Sequence, residues 1–145
     1  IALQLAKGVV NAIGHAGTDT ARVDDLLRQL RDIANVHNGN ADIALQLAKG
    51  LVNALNRAGT DTARVDDLLR QLRDIANIHN GNADIAQELA KGLVITLDRG
   101  HGNDDALLGE LSALALVHQG VELIEQAPNF ARRIIAQRRA GQRGA

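Results

Sequence analysis

The sequence predicts an all-α fold: a solenoid of stacked antiparallel helix pairs, three pairs followed by a C-terminal capping helix. Three observations predict it. Residues 1–42 and 43–84 are one 42-residue unit written twice, with five differences: Val9 for Leu51, Ile13 for Leu55, Gly14 for Asn56, His15 for Arg57 and Val36 for Ile78. A fixed period of this length marks a stacked repeat array. Each unit holds two stretches whose apolar residues recur at helical spacing. The core must be aliphatic, because hydrophobic residues make up 46% of the chain yet Phe130 is the only aromatic and there is no Trp, Tyr, Met or Cys.

The second unit shows the elements most plainly. Its first helix, helix A, is expected to start at Asp42, whose carboxylate can accept from free N–H groups of the first turn. It runs without proline to Arg57, and Gly59 offers the left-handed residue that ends a helix. Its polar residues form a narrow stripe of Asp42, Gln46, Lys49, Asn53, Asn56 and Arg57. A helix that is apolar over most of its circumference is covered on several sides, so helix A is the inner helix. Gly50 lies mid-helix, where it costs about 1 kcal/mol against alanine. It recurs as Gly8 and Gly92, which predicts a close approach of helices.

Helix B follows the caps offered by Thr60-Asp61-Thr62. Val65, Leu68, Leu69, Leu72, Ile75 and Ala76 lie on one face, and Asp66, Asp67, Arg70, Arg73 and Asp74 on the other. Asp66–Arg70 and Arg70–Asp74 are i,i+4 pairs. The helix ends about His79, before Asn80-Gly81. Residues 85–120 are a third unit, three residues shorter, joined inside by the loop Arg99–Asp105. Its helix B, DDALLGELSALALVHQ, has lost most of its charges and is expected to be more buried than its counterparts. Residues 121–141 supply the cap, where ARRIIAQRRAG matches AKGLVNALNRAG of helix A. Pro128 divides this segment: the helix begins near Pro128, or a short helix over Val121–Gln126 leads into it.

Composition narrows function. The absence of cysteine removes disulfides and thiolate chemistry. No apolar run approaches the ~20 residues that span a bilayer, so no membrane partner is expected and the location is read as cytoplasmic. There is no methionine, and residue 1 falls inside a unit without the Asn-Ala-Asp lead-in of 40–42, so the native N-terminus is expected to be missing. The net charge is −1, but residues 128–145 carry five arginines and no acid.

LAKGLVNALNRAG, then LLRQLRDIA, then the crossover HNGNADIA, resemble a tetratricopeptide-type array of the long-repeat variety across essentially the whole chain. The helical aromatics, the closing proline and the short turn of the commoner pattern are missing, and armadillo and HEAT arrays have similar periods. The resemblance implies a right-handed superhelix and a protein-binding scaffold. Such scaffolds hold a peptide along an inner groove, with Lys and Asn of helix A on a carboxylate.

Stacking turns the helix A stripe into a ladder: Gln4, Lys7, Asn11 and His15; Gln46, Lys49, Asn53 and Arg57; Glu88, Lys91 and Arg99. Lys-x-x-x-Asn sets an ammonium and an amide one turn apart on one face, suited to a carboxylate or peptide backbone. Gln4, Lys7, Asn11, Gln46, Lys49, Asn53, Arg57 and Lys91 are the candidate partner-binding residues, against the plain alternative of a solvated face. Ile95 replaces the third asparagine and weakens the ladder there. His37, His79 and His118 recur once per unit without a second ligand at i±3 or i±4, so they read as helix C-termini rather than metal ligands. His101, Asp104 and Asp105 belong to a shortened junction.

The expected function is therefore a non-enzymatic scaffold for a protein or peptide ligand, with no cofactor and no metal. The alternatives are a self-assembly module, a homodimer through the uncapped first pair, or an engineered consensus scaffold. Nucleic-acid binding by Arg132, Arg133, Arg138 and Arg139 ranks last, because Phe130 is the only ring available for base stacking.

Overall fold

The structure, a computed structural model, describes residues 1–16, 19–58 and 61–144, with side chains up to 141. Seven helices run α1 (Ala2–His15), α2 (Thr20–Val36), α3 (Ala41–Arg57), α4 (Thr62–Ile78), α5 (Ala83–Asp98), α6 (Asp104–Val117) and α7 (Glu122–Gly144), with no strand among the described residues. The odd-numbered helices pack in succession, α1 on α3, α3 on α5 and α5 on α7. Each even-numbered helix packs against the odd helices on either side of it, and meets another even helix only through long polar side chains. This is the packing of a helical repeat array.

α3 and α5 are the most buried helices, as the apolar circumference of helix A predicts, whereas α1 buries three residues and α2 four. Ten residues of α3 are buried but only five of α4. Gly50 and Gly92 explain how the layers close. A Cβ on Gly50 would stand 2.7 Å from Leu30 Cδ2, and one on Gly92 would stand 2.6 Å from Leu72 Cδ2. The leucine of the preceding even helix fills the space each glycine leaves.

The helix starts differ from expectation by one or two residues. Asn40 Oδ1 accepts from the backbone N–H of Asp42 at 3.0 Å and of Ile43 at 3.2 Å, and Asn82 caps α5 in the same way. Asp42 is therefore in the first turn, where its charge faces the positive helix end. Asp19 and Asp61 cap α2 and α4, accepting from Arg22 and Arg64 N–H at 3.1 Å. Asn103 caps α6, accepting from the backbone N–H of Ala106 at 3.1 Å. Gly59 and Thr60 lie outside the described residues. His37, His79 and His118 close the three even helices as C-caps.

Polar bridges tie consecutive units together. Arg64 pairs with Asp24 at 2.6 Å, and Arg31 donates to Gln71 at 2.8 Å. Arg73 makes the equivalent contact with Glu110 through two bonds, at 2.9 and 2.6 Å. Arg70 pairs with Asp67, one turn back, instead of with Asp66 or Asp74. The reason is that Asp67 also accepts from Gln71 and is held within reach. Glu110→Gln should cost about 0.5 kcal/mol, because the pair is more than a third exposed on average. The loss should shrink in high salt, which urea denaturation at two ionic strengths would show; a salt-independent loss would mean that packing, not charge, is involved.

Two other expectations are corrected. α6 is less buried than α2 or α4: only Leu107 and Leu111 are buried, against four and five residues there, and Leu116, in the place of Asn77, is 72% exposed. Losing charges does not bury a helix: α6, like α2 and α4, packs against two odd helices, and its lost charges bring no further helix onto it among the described residues. Pro128 does not divide the last segment either. α7 is one helix with Pro128 inside it. The proline forfeits one i→i−4 bond, but its ring is buried where Leu47 and Leu89 are buried in α3 and α5.

That equivalence fixes the register of α7. Ile43, Ile85 and Ile124 are each buried to 1% exposure or less, and Gly50, Gly92 and Ala131 are buried seven residues later. Arg57 donates to Gly14 O at 2.6 Å, Arg99 to Asn56 O, and Arg138 to Leu97 O. Each guanidinium meets the carbonyl end of the preceding odd helix, where positive charge is favoured. Arg138 also holds Asp104 at 2.8 Å. Arg138 therefore occupies the place of Arg57, so the match of ARRIIAQRRAG to AKGLVNALNRAG is one residue out of register.

Candidate functional site

With the register fixed, one face of the odd helices can be read position by position. The place of Lys7, Lys49 and Lys91 is taken in α7 by Phe130. The place of Asn11, Asn53 and Ile95 is taken by Ile134. The place of Val10, Val52 and Val94 is taken by Arg133. The asparagine place thus turns apolar at α5 and the lysine place at α7, while the valine place gains a charge at α7.

The stripe residues are distributed unevenly along it. Gln4, Lys7 and Asn11 are exposed on α1. Lys49 is exposed and Asn53 half-buried on α3, but Gln46 is only 8% exposed. Its copy Gln4, on the first helix, stays exposed. Arg57 is exposed, yet its guanidinium is engaged by Gly14 O. Lys91 is exposed and pairs at 3.0 Å with Glu88, itself 6% exposed. The ladder positions therefore do three jobs: solvated polar groups, repeat-to-repeat contacts, and one edge of a groove.

The groove lies where the ladder weakens. Val52, Val94, Ile95, Leu123 and Phe130 line a hollow of about 400 Å³ between α3, α5 and α7, with Lys91 and Arg133 at its edge. A second hollow of about 310 Å³ continues it past Ile134 and Asp98. Phe130 is 50% exposed and Leu123 41%. The Arg133 guanidinium carbon lies 5.9 Å from the Phe130 ring centroid, within cation–π range. This arrangement can take a bulky apolar side chain and hold a polar or acidic neighbour at its rim. Ile95 in the place of Asn53 is the sequence signal for it; Phe130 carries none until α7 is in register.

The remaining polar clusters are committed elsewhere. The hollow between α2 and α4 is lined by Asp24, Asp25, Arg28, Arg31, Arg64 and Gln71, which bond to one another. His101 Nδ1 lies 3.3 Å from Thr62 Oγ1. No group of three or more His, Asp or Glu among the described residues is placed to hold a metal ion, and no helix is long and apolar enough to cross a membrane. In α7, Arg132 donates to Asn129, Arg133 covers Phe130 and Arg138 serves Asp104. No family model, curated protein or solved structure matches this chain.

Proposed function

We propose that this chain is a non-enzymatic interaction scaffold: a right-handed, tetratricopeptide-like α-solenoid that holds a protein or peptide segment along its odd-helix face. The observation that carries this reading is the α5–α7 groove, where a lysine–asparagine pattern gives way to Ile95, Phe130 and Ile134. Fully burying a side chain of Leu or Phe size is worth about 1.5–3 kcal/mol. A single anchor in the groove therefore supplies part of an affinity, and Lys49 and Asn53 extend the contact along the face.

The test is to write the polar ladder back into the groove. The double variant Ile95→Asn, Phe130→Lys keeps the fold, since both side chains are partly or largely exposed. Binding partners are recovered from a nuclease-treated lysate by the parent and by this variant, and then titrated calorimetrically. The variant is expected to lose at least about tenfold in affinity, which is 1.4 kcal/mol. Lys7→Ala with Lys49→Ala is expected to lose less, because exposed charges contribute little. Equal affinity of the groove variant and the parent would dismiss the groove as the site.

A further inference from the structure

The two ends of the array are chemically different. At the C-terminal end, α7 is the last described helix. Where Ala48, Leu51 and Leu55 of α3 are buried beneath the following unit, α7 carries Asn129, Arg132 and Ala136, all exposed. A face with an amide and a guanidinium at its centre does not receive another aliphatic unit, because Arg132 has only the neutral Asn129 as partner and burying its charge without a carboxylate is costly.

At the N-terminal end the reverse holds. Leu47 is 8% exposed in α3, but its copy Leu5 is 58% exposed. Gly50 is packed against Leu30, Leu27 and Ile13, whereas a Cβ on Gly8 would meet nothing within 4 Å. Arg64 pairs with Asp24 of the preceding unit, but the side chain of its copy, Arg22, has no partner among the described residues. Gln71 accepts from Arg31, while its copy Gln29 bonds only Asp25 of its own helix. Leu5 and Gly8 thus repeat one half of an interface whose other half is visible twice inside the molecule, and Arg22 and Gln29 repeat residues whose partners across it are visible once. A mid-helix glycine facing open space costs helix stability and returns nothing in this chain.

We infer that α1 and α2 present a docking face for one further helix pair of the repeat's own chemistry, seated on them as α1 and α2 seat α3. The internal interface specifies the occupant. It carries two leucines placed like Leu27 and Leu30, an aliphatic side chain like Ile13, a carboxylate like Asp24 for Arg22, and a guanidinium like Arg31 for Gln29. A unit with the sequence of residues 1–42, joined to Ile1 by the turn that joins α2 to α3, supplies all of them. One contact changes: His15 stands where Arg57 stands, so the bond to the preceding carbonyl end passes to an imidazole.

The chain contains no cysteine, so Leu5→Cys is a clean reporter of this face. Its thiol is labelled in the 145-residue chain and in the same chain carrying an extra copy of residues 1–42 ahead of Ile1. Labelling is expected to slow by about tenfold or more in the extended chain, as for a site protected by local structure, and helical circular dichroism is expected to rise by one unit's share. Gly8→Leu in the extended chain is expected to restore fast labelling while the original seven helices stay folded. Leu47→Cys, buried in both chains, reports on that. Equal labelling of Leu5→Cys in the two chains, whether or not the added copy is helical, would overturn the inference. So would labelling of the unextended chain that slows as its concentration rises, which would make a second copy the occupant.

Discussion

Replacing Leu72 by alanine is expected to lower the stability of the array by about 3 kcal/mol. Leu72 is fully buried on α4, and its Cδ2 occupies the space that a side chain on Gly92 would need. Truncation leaves a cavity beside Gly92, whose other near neighbours are Leu69 and Leu55. Glycine is a poor helix residue, so the α4–α5 contact is made at the expense of α5 propensity. Gly92→Ala alone should destabilise by about 1 kcal/mol, since overpacking in a closed site outweighs the gain in propensity. In the Leu72→Ala background the same change fills part of the cavity, and its effect should turn favourable. Urea denaturation of the four proteins should give a coupling energy of about 1–2 kcal/mol. Strict additivity would mean that the two sites are not in contact. Gly8→Ala is the internal control: with open space around it, it should stabilise by up to about 1 kcal/mol.

Which parts of this architecture were legible in the sequence follows from what each signal measures. The 42-residue period and the wide apolar circumference of helix A report burial directly, so the helix pairs, the inner layer and the close approach at Gly50 and Gly92 can all be read from it. The start of helix A is less well determined, because Asn40 and Asp42 both make good caps and only backbone geometry selects between them. The reading of α6 failed for a different reason: lost charges show that a face can be buried, not that anything covers it. Leu116 stays exposed for want of a neighbour. The groove was hidden by a single residue of register. Matching Arg139 to Arg57 puts Phe130 beside Ala48 and removes it from the face. Matching Ile124 to Ile43 puts Phe130 at the end of the lysine ladder, where it marks the change from polar to apolar. Gln46 and Arg57 show the opposite limit, since polar residues on a helix stripe can be spent on the repeat-to-repeat contact itself.

Ala131→Leu is expected to cost about 2–3 kcal/mol and to remove binding at the α5–α7 groove, although Ala131 does not line it. Ala131 is fully buried in the place that Gly50 and Gly92 hold in α3 and α5. Those positions are glycine because a side chain of the preceding even helix already fills the space; α7 houses one methyl group there, with Ala131 fully buried. A leucine there cannot be housed without moving α7 away from α5 and α6. α7 supplies Leu123, Phe130 and Arg133 to the groove, so its displacement dismantles one wall while leaving Val94 and Ile95 in place. Ala131→Gly separates the two effects. It should lose about 1 kcal/mol of helix propensity, keep α7 seated and bind as the parent does. If Ala131→Leu is destabilised yet binds normally, the ligand does not rest on α7, and the groove reading fails independently of any side chain that lines it. If both Ala131 variants lose binding in proportion to stability alone, the loss reports unfolding of α7 rather than its position. Loss of binding by the leucine variant, at a temperature where both variants are fully helical, places the function in how closely α7 packs on the array.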